Sequence, residues 1–294
     1  MTEILKCNTD MGVHEFIKKN TYGFDRVVTS KYITFEYYDF QKKIIDLIHE
    51  NDSSLILKSR QMYVSTLLSS YSLYSIINNK KIFYVSPKLA LSRMFLEKFR
   101  VMAIHYDPEI FEIDNKNKKK IKNGGSIEIL SSDINSLNSV DFDADSVVII
   151  EEAHYIKNLE QLMNNIYMKL NGKKIKIILS STPKPYEVDY FFNLYMNSIS
   201  GHTDFKSLKI NYKDNPNHDE TWCENMKRII GDNMFKAEVL GDFVIRPKLK
   251  KTKNNLVQFR LNDELFNKVS MKLIENDINI STYLRGLITQ DVNK

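Results

Sequence analysis

Cysteine is scarce in this chain of 294 residues, and long apolar runs are absent. The two cysteines, Cys7 and Cys223, lack the spacing of metal ligands and favour a reduced, cytoplasmic setting over a disulfide scaffold. No apolar run approaches the roughly 18 residues that cross a bilayer, so we expect no membrane partner. The first residues show no charged region followed by an apolar one, so we expect no signal peptide.

The composition is that of a globular chain with a sizeable core, since 43% of the residues are hydrophobic. The length suits one large α/β domain followed by a small one. The net charge is only +5, but basic residues are concentrated in two runs without acids, 116–122 and 246–253. Such runs attract phosphate backbones and are also common in solvated loops, so both interpretations remain open.

Short apolar runs rich in β-branched residues alternate with helical patterns. The runs are residues 55–57, 81–85, 126–130, 146–150 and 174–179. Helical periodicity is found at residues 65–77 and 89–102. Buried strands separated by helices predict an α/β fold with a mostly parallel sheet that is covered by helices on both faces.

A strand, a polar turn and a helix are predicted at residues 55–68 (LILKSRQMYVSTLL). This order is that of a P-loop, in which amide groups and the dipole of a helix face phosphates. The usual pattern is G-x-x-x-x-G-K followed by Ser or Thr. The candidate phosphate-binding positions here are Lys58, Ser59, Arg60, Gln61, Met62, Tyr63, Val64, Ser65 and Thr66. Only Ser65 agrees with the pattern, and an ordinary strand and helix with a polar turn is the alternative.

Two carboxylates follow the buried run Val147–Ile150. Glu151 and Glu152 stand at its carboxyl end, where ligands bind in open α/β sheets. In a P-loop ATPase the first acid organises Mg²⁺ with the loop hydroxyl, here Ser65, and the second activates the attacking water. A pair of acids at a solvated helix start is the alternative.

Two further groups of polar residues suit a nucleotide site. Ser180, Ser181 and Thr182 follow another buried run, and hydroxyls there can sense the γ-phosphate and pass the change to neighbouring structure. Upstream of the loop, the segment 33–41 (ITFEYYDFQ) ends in Gln41, whose amide offers a donor and an acceptor to adenine. A Ser/Thr-rich turn and a surface glutamine at a helix start are the alternatives.

Together these motifs resemble the ATPase domain of phage large terminases, the motors that pump DNA into phage heads. The resemblance rests on S-R-Q in the loop, the acid pair, the hydroxyl-rich turn and F-x-x-E-x-x-G-x-F at 235–243, and it covers roughly residues 3–245. It implies a RecA-like P-loop ATPase domain over residues 1–245, of which 1–34 form an N-terminal extension. ATP and Mg²⁺ are the implied cofactors. The implied catalytic residues are Glu152 as general base and Arg60, or alternatively Lys58, as the phosphate-binding cation.

The resemblance also implies partners: double-stranded DNA, a portal, a small terminase subunit, a separate nuclease chain, and other copies in a ring, all in the host cytoplasm. Two positions depart from the family. The usual P-loop lysine is Val64, and residues 136–139 (SLNS) lack the Arg-Gly pair that often precedes the acidic strand. A trans-acting arginine, or another residue such as Arg93 or Arg100, would then stabilise the developing charge.

The last residues predict a separate small unit. After a basic linker at 246–255, the segment 256–294 reads as a strand (256–261, LVQFRL) and two helices, with Asn262 and Ser281 as their caps. Strand–helix–helix resembles the ribbon-helix-helix repressors, which pair strands from two chains to read the major groove. The groove-facing residues that it implies are Gln258, Arg260 and Asn262. Dimerisation is expected, and a helical hairpin docked on a domain or partner is the alternative.

Three functions compete for this pattern. The first is an ATP-hydrolysing motor subunit for viral DNA packaging that lacks a nuclease. The second is a non-catalytic DNA-binding regulator that kept a decayed P-loop fold, as Val64 and the tail suggest. The third is a helicase fragment, because Glu151–His154 (EEAH) resembles a DEAH box, but no second RecA-like domain follows.

Overall fold

The computed structural model describes residues 11–24, 32–122, 124–137, 140–170, 172–245 and 263–275, and the single positions 283, 286 and 290. The chain divides into two compact units, Met1–Arg246 and Pro247–Lys294. No helix in these described ranges is long and apolar enough to cross a membrane.

The first unit begins with helix α1 (Val13–Asn20), a short antiparallel pair of strands, β1 (Tyr22–Phe24) and β2 (Tyr32–Thr34), and helix α2 (Asp39–Glu50). Strands and helices then alternate largely as the sequence predicts. They are β3 (Ser53–Lys58), α3 (Val64–Ile77), β4 (Lys81–Val85), α4 (Leu89–Tyr106), β5 (Phe111–Asp114), β6 (Lys118–Ile121), β7 (Ser126–Leu130), β8 (Ser146–Glu151), α5 (Leu159–Leu170), β9 (Lys176–Ser181), α6 (Tyr190–Ile199), β10 (Lys206–Ile210), α7 (Glu220–Ile230) and α8 (Asp232–Glu238). The sequence does not predict β5 and β6, which precede β7 without a helix between them. Short 3-10 turns lie at Ile134–Leu137, Ala153–Tyr155 and Tyr212–Asp214.

Eight strands form one sheet in the order β10-β3-β9-β8-β4-β7-β6-β5. Neighbours from β10 to β7 are parallel, and β6 pairs antiparallel with both β7 and β5. The prediction of an α/β fold with a mostly parallel sheet is therefore confirmed. Because β3, β9 and β8 are parallel neighbours, the polar residues that end them meet at one edge of the sheet.

Two apolar layers cover the two faces of the sheet. In β3, Ile56 packs into the layer formed with α1 to α4, whereas Leu55 and Leu57 pack into the layer formed with α5 and α6. This division follows from the alternation of side chains along a strand. Helix α3 is buried on almost all sides, so the start of this helix, which follows the P-loop, is fixed by the core.

Two strands run further than the sequence predicts. β8 includes Glu151, and β9 runs to Ser181, so polar residues expected after the strands lie within them. Glu151, Ser180 and Ser181 are all buried. Tertiary contacts hold these polar side chains within the sheet, and the pattern of apolar residues in the sequence does not predict such contacts.

The first basic run forms β6 and its flanks, and four of its five lysines pair with acids. The ion pairs are Lys118–Glu128 at 2.9 Å, Lys120–Glu112 at 2.8 Å, Lys122–Glu109 at 3.7 Å, and Lys119–Asp114. Since these acids balance the charge of the lysines, the run is better explained as part of a sheet than as a phosphate-binding surface.

In the second unit, helix α9 (Asp263–Glu275) is present where the sequence predicts the first helix of the tail. Residues 283, 286 and 290 are also helical. The basic linker and the predicted strand at 256–261 lie outside the described residues, and so do the three groove-facing residues. The ribbon-helix-helix unit therefore stays a prediction.

Candidate functional site

The loop between β3 and α3 contains no glycine, yet it adopts a glycine-like backbone. Gln61 and Tyr63 have φ angles of 61° and 55°, in the left-handed region that favours glycine. Tyr63 stands at the second glycine position of the usual pattern and precedes α3 directly. Other residues keep this conformation only where their surroundings impose it, and such positions concentrate at ligand sites. The backbone therefore favours a P-loop over an ordinary turn.

Contacts from the end of the first unit hold this loop in place. The Ser59 N–H donates to the carbonyl of Ile210 at 3.1 Å, and the Ser59 hydroxyl donates to the carbonyl of Val239 at 2.6 Å. The Arg60 N–H donates to the carbonyl of Glu238 at 2.8 Å. The loop conformation thus depends on residues far along the chain.

The remaining loop residues divide between core and surface. Met62 and Val64 are buried in the core layer, whereas Gln61 and Tyr63 are exposed and Thr66 is partly buried. Val64, at the position of the usual lysine, serves packing. Any contact between its side chain and a phosphate would therefore be apolar.

Ser65 and Glu151 meet as the sequence predicts. The Ser65 hydroxyl donates to Oε1 of Glu151, and the Tyr84 hydroxyl donates to Oε2 at 2.6 Å. Burial, with the neighbouring carboxylate, raises the pKa of Tyr84 well above its ordinary value, so Tyr84 remains a donor. Sequence reasoning missed Tyr84, and the available signal was one hydroxyl within the otherwise apolar end of β4.

The donor set of Ser65 and Glu151 fits Mg²⁺, which takes hydroxyl and carboxylate oxygens. Among the residues that the structure describes, no group of three or more His, Cys, Asp or Glu side chains could hold a metal. An ion bound here would take its other ligands from water and phosphate, as Mg²⁺ commonly does.

Lys58 and Glu152 form a second pair. Nζ of Lys58 lies 2.7 Å from Oε1 of Glu152. The Lys58 side chain is 9% exposed and the Glu152 side chain is 32% exposed. Glu152 has a φ of 54° and begins the 3-10 turn after β8. A cation at the first P-loop position therefore reaches across β9 to the predicted general base.

Arg60, the other candidate cation, binds a different acid. Its Nε donates to Oε2 of Glu238 at the end of α8. This hydrogen bond raises the pKa of Arg60 above its ordinary value. The Glu238 side chain is only 5% exposed, and a carboxylate so buried requires a paired cation. Arg100, named above as a substitute arginine, donates to Asp114 on the edge strand β5 at 2.7 Å.

The hydroxyls at the end of β9 contact the turn that follows the acid pair. The Ser181 hydroxyl accepts the His154 N–H at 3.1 Å, and the Thr182 hydroxyl lies 3.4 Å from the hydroxyl of Tyr155. All three β9 residues are buried, and the Ser180 hydroxyl has no hydrogen-bond partner among the described residues. The end of β9 and the turn after Glu152 are thus linked directly.

His154 is a buried packing residue. Its Nδ1 accepts the Lys184 N–H at 2.7 Å, and its Nε2 lies 3.1 Å from Asp189, in a geometry too bent for a regular hydrogen bond. The rings of Phe191 and Phe243 lie 5.1 Å and 5.7 Å away. The fourth residue of the EEAH run therefore stabilises the turn by packing.

Gln41 is fully buried at the start of α2. Its Oε1 accepts the Tyr38 N–H at 2.9 Å and caps the helix, while its Nε2 has no partner in the described part of the chain. The Tyr38 hydroxyl accepts a hydrogen bond from Asn217 at 2.9 Å. Because Gln41 is fully buried and its oxygen caps the helix, the contact with adenine expected from the sequence stays a prediction.

The sheet of eight strands, with β9 between β3 and β8 and helices on both faces, is similar to a fold found among solved structures. The fold is that of phage large-terminase ATPase domains. No protein-family model matches the chain, and no curated protein matches its sequence.

Three solved structures illustrate the match. A mutant of the large terminase ATPase domain of Thermus phage P74-26 has a TM-score of 0.57 and 16% identity, over 71% of this chain and 95% of that one. The large terminase of a thermophilic bacteriophage, in complex with ADP, has a TM-score of 0.57 and 12% identity, over 70% of this chain and 53% of that one. The HK97 bacteriophage large terminase has a TM-score of 0.59 and 13% identity, over 79% and 56%. This chain thus spans about half the length of the last two large terminases.

Proposed function

We propose that this chain is an ATP-hydrolysing motor subunit for packaging viral double-stranded DNA, equivalent to the ATPase domain of a large terminase. One observation carries the proposal: the two acids that end β8 meet the P-loop, Glu151 at Ser65 and Glu152 at Lys58. The large terminase of the thermophilic bacteriophage has a similar fold and has been solved with ADP and with ATP-γ-S, which supports nucleotide binding by this chain.

Lys58 rather than Arg60 is the cation that we assign to the phosphates. If Lys58 turns to a phosphate, Glu152 loses its partner but is 32% exposed, so water can solvate it. If Arg60 turned away, Glu238 would remain as an unpaired carboxylate at 5% exposure, and stranding a buried charge costs about 3–5 kcal/mol. Exchanging its acid for a phosphate therefore costs less free energy for Lys58 than for Arg60.

Each acid then has a separate role. Ser65 and Glu151 would hold Mg²⁺, which would neutralise charge on the phosphate oxygens. Glu152, released from Lys58, accepts a proton from the attacking water. Tyr84 keeps the second oxygen of Glu151 in a fixed position through its hydrogen bond.

The β9 hydroxyls couple this chemistry to movement. Ser181 and Thr182 contact the residues that directly follow Glu152, so a change in that turn reaches β9. We propose that this change drives DNA translocation, in a ring with portal, small terminase and nuclease partners. The ribbon-helix-helix tail would supply a second DNA contact through Gln258, Arg260 and Asn262.

The test is steady-state ATP hydrolysis by the full chain, with and without double-stranded DNA. We expect turnover that requires Mg²⁺, rises with DNA, and falls by about 10²–10⁴ in Glu152→Gln while ATP binding persists, since that is what a general base contributes. Glu112→Gln, which removes an acid on the edge strand β5, serves as the matched control. Unchanged turnover in Glu152→Gln would rule out the mechanism.

The same experiment separates the motor from the DNA-binding regulator. The regulator is favoured by one observation, the burial of Val64 where a P-loop lysine is expected. Absence of nucleotide binding at millimolar ATP, with DNA binding intact, would establish the regulator instead.

A further inference from the structure

Glu238 is a buried ionisable residue that the proposed mechanism does not use. It ends α8 and belongs to the F-x-x-E-x-x-G-x-F pattern at 235–243. Its side chain is only 5% exposed. A carboxylate is retained in such a place only when it is paired and hydrogen-bonded, so its partners indicate its role.

Glu238 contacts two segments of the candidate site directly and reaches the third, the end of β9, through Tyr155. Its carbonyl accepts the Arg60 N–H at 2.8 Å, and its Oε2 accepts Nε of the same arginine. Its Oε1 lies 3.4 Å from the Tyr155 hydroxyl, which lies 3.4 Å from the Thr182 hydroxyl. We call these four residues the Glu238 network. The contacts with Arg60 are the strong ones, and the two 3.4 Å contacts are long and weaker.

We propose that Glu238 is a positioning residue that joins the P-loop, the turn after Glu152 and the end of β9 into one responsive unit. This inference rests on the proposed function for its catalytic consequence. The structural part of the proposal does not depend on turnover. The buried carboxylate of Glu238 holds Arg60 in the loop and Tyr155, which lies three residues after the proposed general base.

Burial explains why the unit moves together. Displacing the P-loop or the Tyr155 turn breaks a contact with a carboxylate that water cannot reach, so displacement of one favours displacement of the other. Arg60 also directly precedes Gln61, whose φ is 61°. The anchor at Glu238 therefore helps to impose the left-handed conformation of the loop, which a glycine-free sequence does not favour.

Amide hydrogen exchange of the full chain without nucleotide tests the structural part of the proposal. We expect Glu238→Gln to speed amide exchange at least fivefold in segments 59–63 and 153–156. The matched control is Asp114→Asn, which neutralises an acid paired with Arg100 and Lys119 on β5 and should leave both segments unchanged. Unchanged exchange of both segments in Glu238→Gln would overturn the proposal.

Turnover tests the catalytic consequence. We expect Glu238→Gln to lower kcat about tenfold while KM and the ADP dissociation constant change less than about threefold, as for coupling through a packed network. The double variant Glu238→Gln/Thr182→Val should be no slower than the worse single variant, because both changes break one unit. Effects on kcat that multiply would overturn the coupling.

Two outcomes are separated by design. A wild-type chain without turnover would refute the proposed function, whereas hydrogen exchange would still decide whether the network exists. If Glu238→Gln fails to fold, Tyr155→Phe removes only the hydroxyl that links Glu238 to Thr182. It should speed exchange in the segment 180–184 and lower kcat about threefold, and no change in either would refute the link.

Discussion

Ion pairs in two regions of the sheet differ in burial, and the difference indicates their use. Lys58 at the end of β3 and Glu238 at the end of α8 each hold an opposite charge while almost fully buried. On β6 and β7, Lys118 and Glu128 are 40% and 33% exposed, and only Lys119 among the paired lysines of β6 is as buried, at 5%. Exposed pairs contribute about 0–1 kcal/mol, whereas unpairing a buried charge costs about 3–5 kcal/mol. The first region is suited to exchange of partners with a ligand, and the second to neutralising a sheet surface.

The largest contrast is expected between two lysines. Lys58→Ala should lower kcat/KM for ATP by about 10²–10³, the cost of removing one preorganised charge-stabilising donor. Lys118→Ala should change it less than twofold, because its partner Glu128 is solvated. Steady-state kinetics checks both variants, and similar values for the two would remove the distinction between the regions.

Loss of Arg60 should lower the free energy of unfolding more than loss of Arg100. Arg60→Ala leaves the buried Glu238 without its cation, and because the Arg60 side chain is itself 65% exposed we expect a loss of about 1–3 kcal/mol in the free energy of unfolding. Arg100→Ala breaks pairs with Asp114 and Glu97 that are partly exposed, and should cost less than about 1 kcal/mol. Urea denaturation measures both, and an Arg60 variant as stable as wild type would show that Glu238 finds another partner.

A smaller effect is expected at Tyr84. Tyr84→Phe leaves one oxygen of Glu151 without its donor, a loss of about 1 kcal/mol, so the Mg²⁺ concentration for half-maximal turnover should shift about three- to fivefold. Tyr71→Phe, which removes another buried tyrosine hydroxyl that contacts the Ile48 carbonyl, is the control. An equal shift in the control would assign the effect to packing, and no shift in Tyr84→Phe would contradict the role of its hydroxyl.

The smallest effect concerns DNA binding by the first basic run. The double variant Lys118→Ala/Lys120→Ala removes two cations that are already paired, so DNA affinity should fall less than about twofold and its salt dependence should not change. Fluorescence anisotropy at several salt concentrations measures both quantities. If the number of counterions released on DNA binding fell by about two, the run would instead be a phosphate-binding surface.

The sequence predicted the sheet and one half of the site because the signal there is local. An apolar run followed by Glu151 and Glu152 reports both a buried strand and its polar end. The partners of Arg60 could not be predicted in this way, because Glu238 lies 178 positions further along the chain and reaches the loop only through packing of α8. The acids that pair with the lysines of β6 could not be predicted either, since they lie on neighbouring strands and the sequence does not give the register of those strands.

The position of β9 between β3 and β8 fixes a dimension of the molecule. Adjacent strands lie about 4.8 Å apart, so one intervening strand separates the P-loop strand from the acid-bearing strand by about 9.6 Å. The side chains of Lys58 and Glu152 bridge this width together, with 2.7 Å between Nζ and Oε1. The presence of β9 between β3 and β8 therefore sets the distance between Lys58 and Glu152, and with it the size of the group that fits between them.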